Sequence, residues 1–130
     1  MTDRELLEWA ARAARIEGKW MTKGDGDLWL FRNDFVDSWN PLTNGQDAFD
    51  LSTKLEICID HDWIEVAAYG YQGRIESEYQ KGVRAWIVPV DGASAGKTIE
   101  CSEVYNSDRV AATRRAIVRV AAELGRSIEK

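Results

Sequence analysis

The stretch between residues 55 and 90 most constrains the fold, because its apolar residues recur with the period of two that is typical of β-strands. Two parts of it, Trp63 to Ala68 and Val83 to Val90, place apolar side chains on both faces of the strand. A sheet that is open to water on one side alternates more strictly between apolar and polar residues. We therefore predict strands that are buried on both faces.

Helical patterns lie on both sides of these strands. Thr2 and Glu5 have the spacing of a capping box, which predicts a helix over residues 2–16. Asn44 is a cap for a second, short helix. Ser107 is the predicted cap of the last helix, whose apolar residues recur at spacings of three and four. The pattern indicates an α+β fold, a three-layer α/β/α sandwich with a mainly antiparallel central sheet flanked by the N- and C-terminal helices.

Turns and further strands complete the expected order. Residues 23–27 are predicted to form a loop before a strand over 28–32, and 91–96 a loop before a strand over 98–104. Turns are also expected at Asp60–Asp62 and at Tyr69–Gly73. Residues 1–130 are predicted to form a single domain.

Composition narrows the classes of partner. The formal net charge is −5, which disfavours nucleic acid and anionic membrane surfaces, because both are bound through Lys and Arg. No apolar run approaches the roughly 20 residues that span a bilayer, and no signal-peptide pattern is present. Cys58 and Cys101 are too few for a disulfide framework and are expected to be buried, inert thiols. The host bacterial cytoplasm is the expected compartment.

Three groups of residues resemble a known family. They are the segment Trp39-Asn40-Pro41-Leu42-Thr43 with Asp47-Ala48, the opening segment Glu5 to Ala11, and the segment Ala111 to Arg119. Together they resemble the phage ABA sandwich domain family of small tailed-phage proteins. The resemblance implies phage or prophage origin and an α/β/α sandwich, but no molecular function. Gln46 and Asp50 depart from the family pattern, in which Gly and a basic residue are common.

The first candidate binding patch is Trp39, Asn40 and Asp47. An exposed indole beside an amide and a carboxylate could recognise a ligand or a loop of a partner. The structural alternative is that Trp39 fills the core, Asn40 forms a turn before Pro41, and Asp47 stabilises the start of a helix.

Two further binding candidates are exposed in the predicted fold. Arg115, Arg119 and Arg126 form a stripe on the last helix that could meet phosphates or an acidic partner, although such stripes are usually solvated helix faces. Tyr71, in the predicted turn, could stack on a base or simply end a hairpin.

Asp60, His61 and Asp62 are the candidates for catalysis. The sequence holds one histidine, and no local spacing supplies three metal ligands. It also lacks the common phosphate-loop, zinc-protease and serine-hydrolase motifs. No cofactor or metal is expected. The main hypothesis is a non-catalytic phage accessory module directed at a host protein. The alternatives are a small-ligand or nucleotide binder, possible as a homo-oligomer, and an enzyme that uses these three residues.

Overall fold

The computed structural model describes residues 1–33, 37–90 and 96–128. Within these ranges the chain forms helices and antiparallel strands in the following order. They are α1 (Asp3–Ala13), β1 (Lys19–Thr22), β2 (Leu28–Arg32), β3 (Asp37–Trp39), α2 (Gly45–Leu55), β4 (Cys58–Tyr71), β5 (Arg74–Ile87), β6 (Ile99–Val104) and α3 (Arg109–Ile128).

The capping box predicted for α1 is present. The Thr2 side chain accepts a hydrogen bond from the Glu5 backbone N–H at 3.2 Å, and the Glu5 carboxylate accepts one from the Thr2 backbone. These bonds satisfy N–H groups that have no partner within the helix. Their formation lowers the pKa of Glu5, chiefly through the hydrogen bond with the Thr2 backbone.

Helix α1 packs against α3 through small residues. Ala10 and Ala11 are buried on α1, and Ala14 is buried at its C-cap. At the crossing, Gly125 of α3 comes so close to α1 that a Cβ atom there would lie 2.2 Å from the Trp9 carbonyl oxygen. The contact between the two helices therefore depends on backbone approach that only small side chains allow.

A three-stranded antiparallel sheet, β1-β2-β3, follows α1. The loop predicted at 23–27 is confirmed as its first turn, where Lys23 N–H donates to the Asp27 carbonyl oxygen. The predicted strand β2 is also confirmed, whereas β1 and β3 were not predicted. Leu30 and Trp39 from this sheet join the hydrophobic core that the helices form.

Helix α2 begins as the sequence predicts. Asn44 is its N-cap, and the Asn44 side chain accepts a hydrogen bond from the Asp47 N–H at 2.9 Å. Ala48 and Leu51 are buried, and Glu56 ends the helix in the left-handed conformation. Helix α3 begins one residue later than expected, because the side chain of Asp108 and not that of Ser107 accepts the hydrogen bond from the Ala111 N–H.

The second sheet has the order β4-β5-β6, and all its strands are antiparallel. The predicted turn at Asp60–Asp62 is wrong, because these residues lie inside the 14-residue strand β4. The turn predicted near 69–73 is shorter, since only Gln72 and Gly73 connect β4 to β5. Strand β6 is close to its predicted range, and residues 91–95 of the predicted loop lie outside the described residues.

Helix α3 covers one face of this second sheet. Val83, Ala85 and Cys101 are buried on that face, and α1 and α2 pack in turn against α3. The opposite face carries Arg84, which forms ion pairs with Asp60 and Asp62 at 3.0 and 3.1 Å. We call these two surfaces the helix face and the open face.

The predicted α+β class is confirmed, with antiparallel strands and with helices at both ends of the chain. In the part of the chain that the structure describes, two three-stranded sheets replace the one central sheet that was expected. The prediction that both strand faces are buried between Trp63 and Ala68 is wrong, because Trp63, Val66 and Ala68 are all exposed. No helix within the described ranges has the length and apolar character that crossing a bilayer demands.

Candidate functional site

A groove lies between α2, the N-terminal part of α3 and the start of β4. It has a volume of about 580 Å³, and we call it the α2–α3 groove. Its walls are mostly apolar or small side chains from all three elements: Ala48, Phe49, Ser52, Ile59, Val110, Thr113 and Ile117. Phe49 and Val110 are 64% and 60% exposed, so two large apolar side chains stand open to solvent at this groove.

Phe49 is exposed because of its place on α2. Ala48 and Leu51 point to the core, and Phe49 follows Ala48 by one residue, which turns it about 100° around the helix axis away from Ala48. Val110 has the helical spacing of the apolar stripe of α3, and yet it is exposed. The residue lies in the first turn of α3, N-terminal to the buried run that begins at Ala116.

His61 and Tyr105 form one end of the groove. The His61 Nδ1 atom is hydrogen-bonded to the Tyr105 hydroxyl, and the two rings lie 5.8 Å apart between centroids. Tyr105 is fixed by its backbone, because its N–H donates to the Lys81 carbonyl oxygen at 3.1 Å. A second hollow of about 240 Å³ lies beside the same pair and includes Trp63. The pair therefore stands between two adjoining hollows.

The groove is locally basic on an acidic chain. The Arg109 guanidinium carbon lies 5.3 Å from the centre of the Tyr105 ring, and Arg114 also lines the groove. Among the described residues that line the groove there is no Asp or Glu. Arg114 Nε donates to the Leu42 carbonyl oxygen at 2.8 Å, which holds that side chain in place. The arrangement suits an apolar group that has a negative charge near it.

The three candidate catalytic residues do not converge. His61 points to the helix face, where it meets Tyr105, whereas Asp60 and Asp62 point to the open face and bind Arg84. Successive residues of a strand alternate between its faces, so this separation follows directly from their adjacency. Within the described residues, no group of three His, Cys, Asp or Glu side chains is placed to hold a metal ion.

Trp39, Asn40 and Asp47 are built into the fold. Trp39 is only 2% exposed and meets the Trp20 ring edge-on, with centroids 6.5 Å apart. Asn40 is buried, and its side chain donates to the Leu28 carbonyl oxygen and accepts from the N–H groups of Leu42 and Thr43. These contacts agree with the structural alternative for this patch.

Asp47 completes the same network. Its carboxylate accepts a hydrogen bond from the Asn40 N–H at 2.8 Å. Burial raises the pKa of Asp47, and this effect outweighs the opposing effects of the Asn40 hydrogen bond and of Arg32. Tyr71, in contrast, is 67% exposed at the tip of the β4–β5 hairpin, so Trp39 and Tyr71 do not share an open patch.

The arginines of α3 have partners within the chain. Arg119 donates to the Ser102 carbonyl oxygen at 3.0 Å and to Glu103 at 2.9 Å. Arg115 pairs with Asp3 at 2.9 Å, and Arg126 lies 3.5 Å from Glu123. These carboxylates neutralise much of the positive charge of the arginine stripe. The stripe therefore connects α3 to α1 and β6 through ion pairs and is not a free basic surface.

The two thiols are in different environments. Both are free; Cys101 is buried as predicted, and burial raises its pKa, whereas Cys58 is exposed, contrary to the prediction. The residues that define the groove, Phe49, Tyr105 and Arg109, were not found from the sequence. An aromatic residue just off the apolar stripe of α2 was the available signal for Phe49.

No protein-family model, curated protein or solved structure matches the chain. The resemblance to the phage ABA sandwich domain family stays a prediction.

Proposed function

We propose that the chain is a phage-encoded, non-catalytic binding module that takes a side chain of a host protein into the α2–α3 groove. The observation that carries the proposal is the exposure of Phe49 and Val110 at an apolar groove that also holds Arg109. Central apolar contacts with arginine nearby are typical of the residues that dominate protein interfaces.

The chemistry of the groove defines the partner segment. The apolar walls suit a large aliphatic or aromatic side chain, and Arg109 and Arg114 suit an acidic residue next to it. The bacterial cytoplasm is the proposed place of action, and the free thiols of Cys58 and Cys101 are in keeping with a reducing compartment. Phage origin rests on the sequence resemblance.

Affinity capture from bacterial lysate tests this function by comparing variants of the chain. We expect Phe49→Asp to lose at least about tenfold of the affinity for any protein that the wild-type chain retains, because it places a carboxylate in the apolar groove. Met21→Asp is the matched control, since Met21 is an exposed apolar residue on β1 outside the groove, and it should retain the partner. Equal capture of the partner by both variants would show that the binding surface lies outside the α2–α3 groove.

A small anionic ligand is the second candidate occupant. The volume of the groove falls in the range of small-molecule sites, and the Arg109–Tyr105 stack presents a cation beside an aromatic ring. A thermal-shift screen with nucleotides separates this case from the first. A true ligand at about a hundred times its Kd stabilises the fold by about 2.7 kcal/mol, and Arg109→Ala should remove that stabilisation.

A further inference from the structure

The β4–β5 hairpin extends beyond the rest of its sheet. Strand β6 pairs with β5 only between Gly82 and Ile87, so the hairpin beyond this point is a two-stranded ribbon. Within the described residues it has no third strand, and most of its large apolar side chains are exposed, among them Trp63 at 58% and Ile75 at 84%. A two-stranded ribbon is marginally stable alone in water, and such an apolar surface marks an interaction site.

The outer edge of β4 is the part of the ribbon whose backbone N–H and C=O groups are available to pair with another strand. Among the described strands, β4 lies at the edge of its sheet along all of its 14 residues. It contains neither Lys nor Pro, the residues that commonly protect an edge from pairing. Its one irregularity is a bulge at Val66, which is the extra residue between the pairs Glu65–Tyr79 and Ala67–Glu78.

The charge pattern of β4 indicates what pairs with it. All three carboxylates, Asp60, Asp62 and Glu65, lie before the bulge, and residues 66–71 carry no charge. Parallel pairing in register would place like charges side by side. Antiparallel pairing of two copies instead places the acidic half of each strand against the neutral half of the other, which avoids repulsion.

The bulge restricts the register of such a pair. Before it, odd-numbered residues such as Trp63 point to the helix face; after it, even-numbered residues do, because Gly70 pairs with Ile75 on that face. Cross-strand partners must share a face. In a two-fold symmetric pair, a residue that precedes the bulge in one copy can therefore lie opposite a residue that follows the bulge in the other copy only if one of the two residue numbers is odd and the other is even.

We propose that two copies of the chain pair antiparallel through β4, about a two-fold axis between Val66 and Ala67, to form a six-stranded sheet. This register places Trp63 opposite Gly70, where the indole covers a residue without a side chain. It also places Ile64 opposite Tyr69, a β-branched and aromatic pair of the kind that stabilises sheets. Residues 62–71 of each copy would form about ten backbone hydrogen bonds, as many as a typical interface contains.

The dimer is independent of the proposed groove function. The groove lies on the helix face, whereas the pairing uses the backbone edge of β4. Each copy would keep its own groove, and loss of one property would leave the other measurable.

Sedimentation equilibrium of the wild-type chain tests the dimer first. We expect a mass of twice the chain mass at micromolar concentration. The double variant Ala68→Glu and Tyr69→Glu should be monomeric, because it places one carboxylate directly opposite Glu65 of the other copy and a second one diagonal to Asp62. Ile75→Lys is the control, because Ile75 is an exposed ribbon residue on β5 away from the β4 edge, and this variant should stay dimeric. If Ile75→Lys were monomeric and the double variant still dimeric, the two copies would pack through the faces of their sheets, and edge pairing would be overturned.

Disulfide crosslinking tests the register. In chains with Cys58 and Cys101 replaced by Ser, Ile64→Cys and Tyr69→Cys should crosslink when the two variants are mixed and oxidised, because cross-strand Cα atoms lie about 5 Å apart. Ile64→Cys alone should not crosslink, since the two copies of residue 64 would be about 17 Å apart along the strands. A monomeric wild type, or equal crosslinking by every variant, contradicts the proposal.

Discussion

Asn40 shows how a residue that resembles a binding group becomes structural. It lies directly between the end of β3 and the turn that leads to α2, and it is 2% exposed. Its backbone N–H and its side chain make four hydrogen bonds, to Leu28, Leu42, Thr43 and Asp47. Each buried polar group of this kind costs about 1–3 kcal/mol when it is left without a partner. The network therefore joins the first sheet to α2.

Asp47 makes the stability of this network depend on pH. A carboxyl group whose pKa is raised on folding binds its proton more tightly in the folded state, so the free energy of unfolding falls as pH rises from the unfolded value of 3.8 through the raised value. Asp47→Asn keeps an oxygen acceptor and does not titrate. We expect the free energy of unfolding of this variant, relative to wild type, to increase as pH rises from below 3.8 through the raised pKa of the folded state.

Denaturant titrations at a series of pH values measure this difference. Asp47→Ala is the control, because it also removes the titrating group but leaves the Asn40 N–H without its acceptor. It should show the same pH trend, displaced to lower stability by about 1–3 kcal/mol. A flat difference between Asp47→Asn and wild type would mean that folding does not raise the pKa of this carboxyl.

At the scale of elements, the crossing of α1 and α3 is the most demanding contact. A Cβ atom at Gly125 would lie 2.2 Å from the Trp9 carbonyl oxygen, so Gly125→Ala must move one helix away from the other. We expect a loss of about 1–3 kcal/mol or more in the free energy of unfolding. The measurement is thermal or denaturant unfolding.

Gly45→Ala is the matched control within a helix. A Cβ atom at Gly45 would have no heavy atom within 4 Å, and the residue begins α2. Alanine is the better helix former, so this variant should be unchanged or up to about 1 kcal/mol more stable. If both variants lost the same stability, backbone approach at Gly125 would not be the cause.

Elements with local signals could be predicted from the sequence. The caps at Thr2 and Asn44 are made by residues three positions away, and both helices begin where those pairs indicate. Asp60 and Asp62 resembled a turn because the partner that compensates their charge, Arg84, lies more than 20 residues away. An ion pair between residues so far apart in the sequence cannot be recognised from a short segment around either residue.

At the scale of the whole molecule, the same limit applies to the site. The groove depends on His61 and Tyr105, which are 44 residues apart, and on Phe49 of α2. The sequence favoured Trp39 and the α3 arginines because they are unusual locally. The fold buries Trp39 and pairs the α3 arginines with carboxylates. Ordinary apolar residues such as Phe49 are left exposed where α2, α3 and β4 leave a groove between them.

The burial of Cys101, Val83 and Ala85 was predictable as a core, but the exposed ribbon was not. Apolar residues on both faces of β4 normally indicate coverage by helices. Here α3 reaches only the part of the sheet near β6, and the ribbon extends beyond it. In the proposed dimer, a second chain supplies part of the cover that the sequence pattern implies.

Close backbone approach at Gly125 has a consequence for evolution. Most core positions tolerate exchange among apolar residues of similar volume, so their identities drift as lineages diverge. A site where any added carbon meets a carbonyl oxygen at 2.2 Å offers no such freedom. Glycine at this helix crossing should therefore persist after other similarity has faded, which makes it a fingerprint for recognising remote homologues.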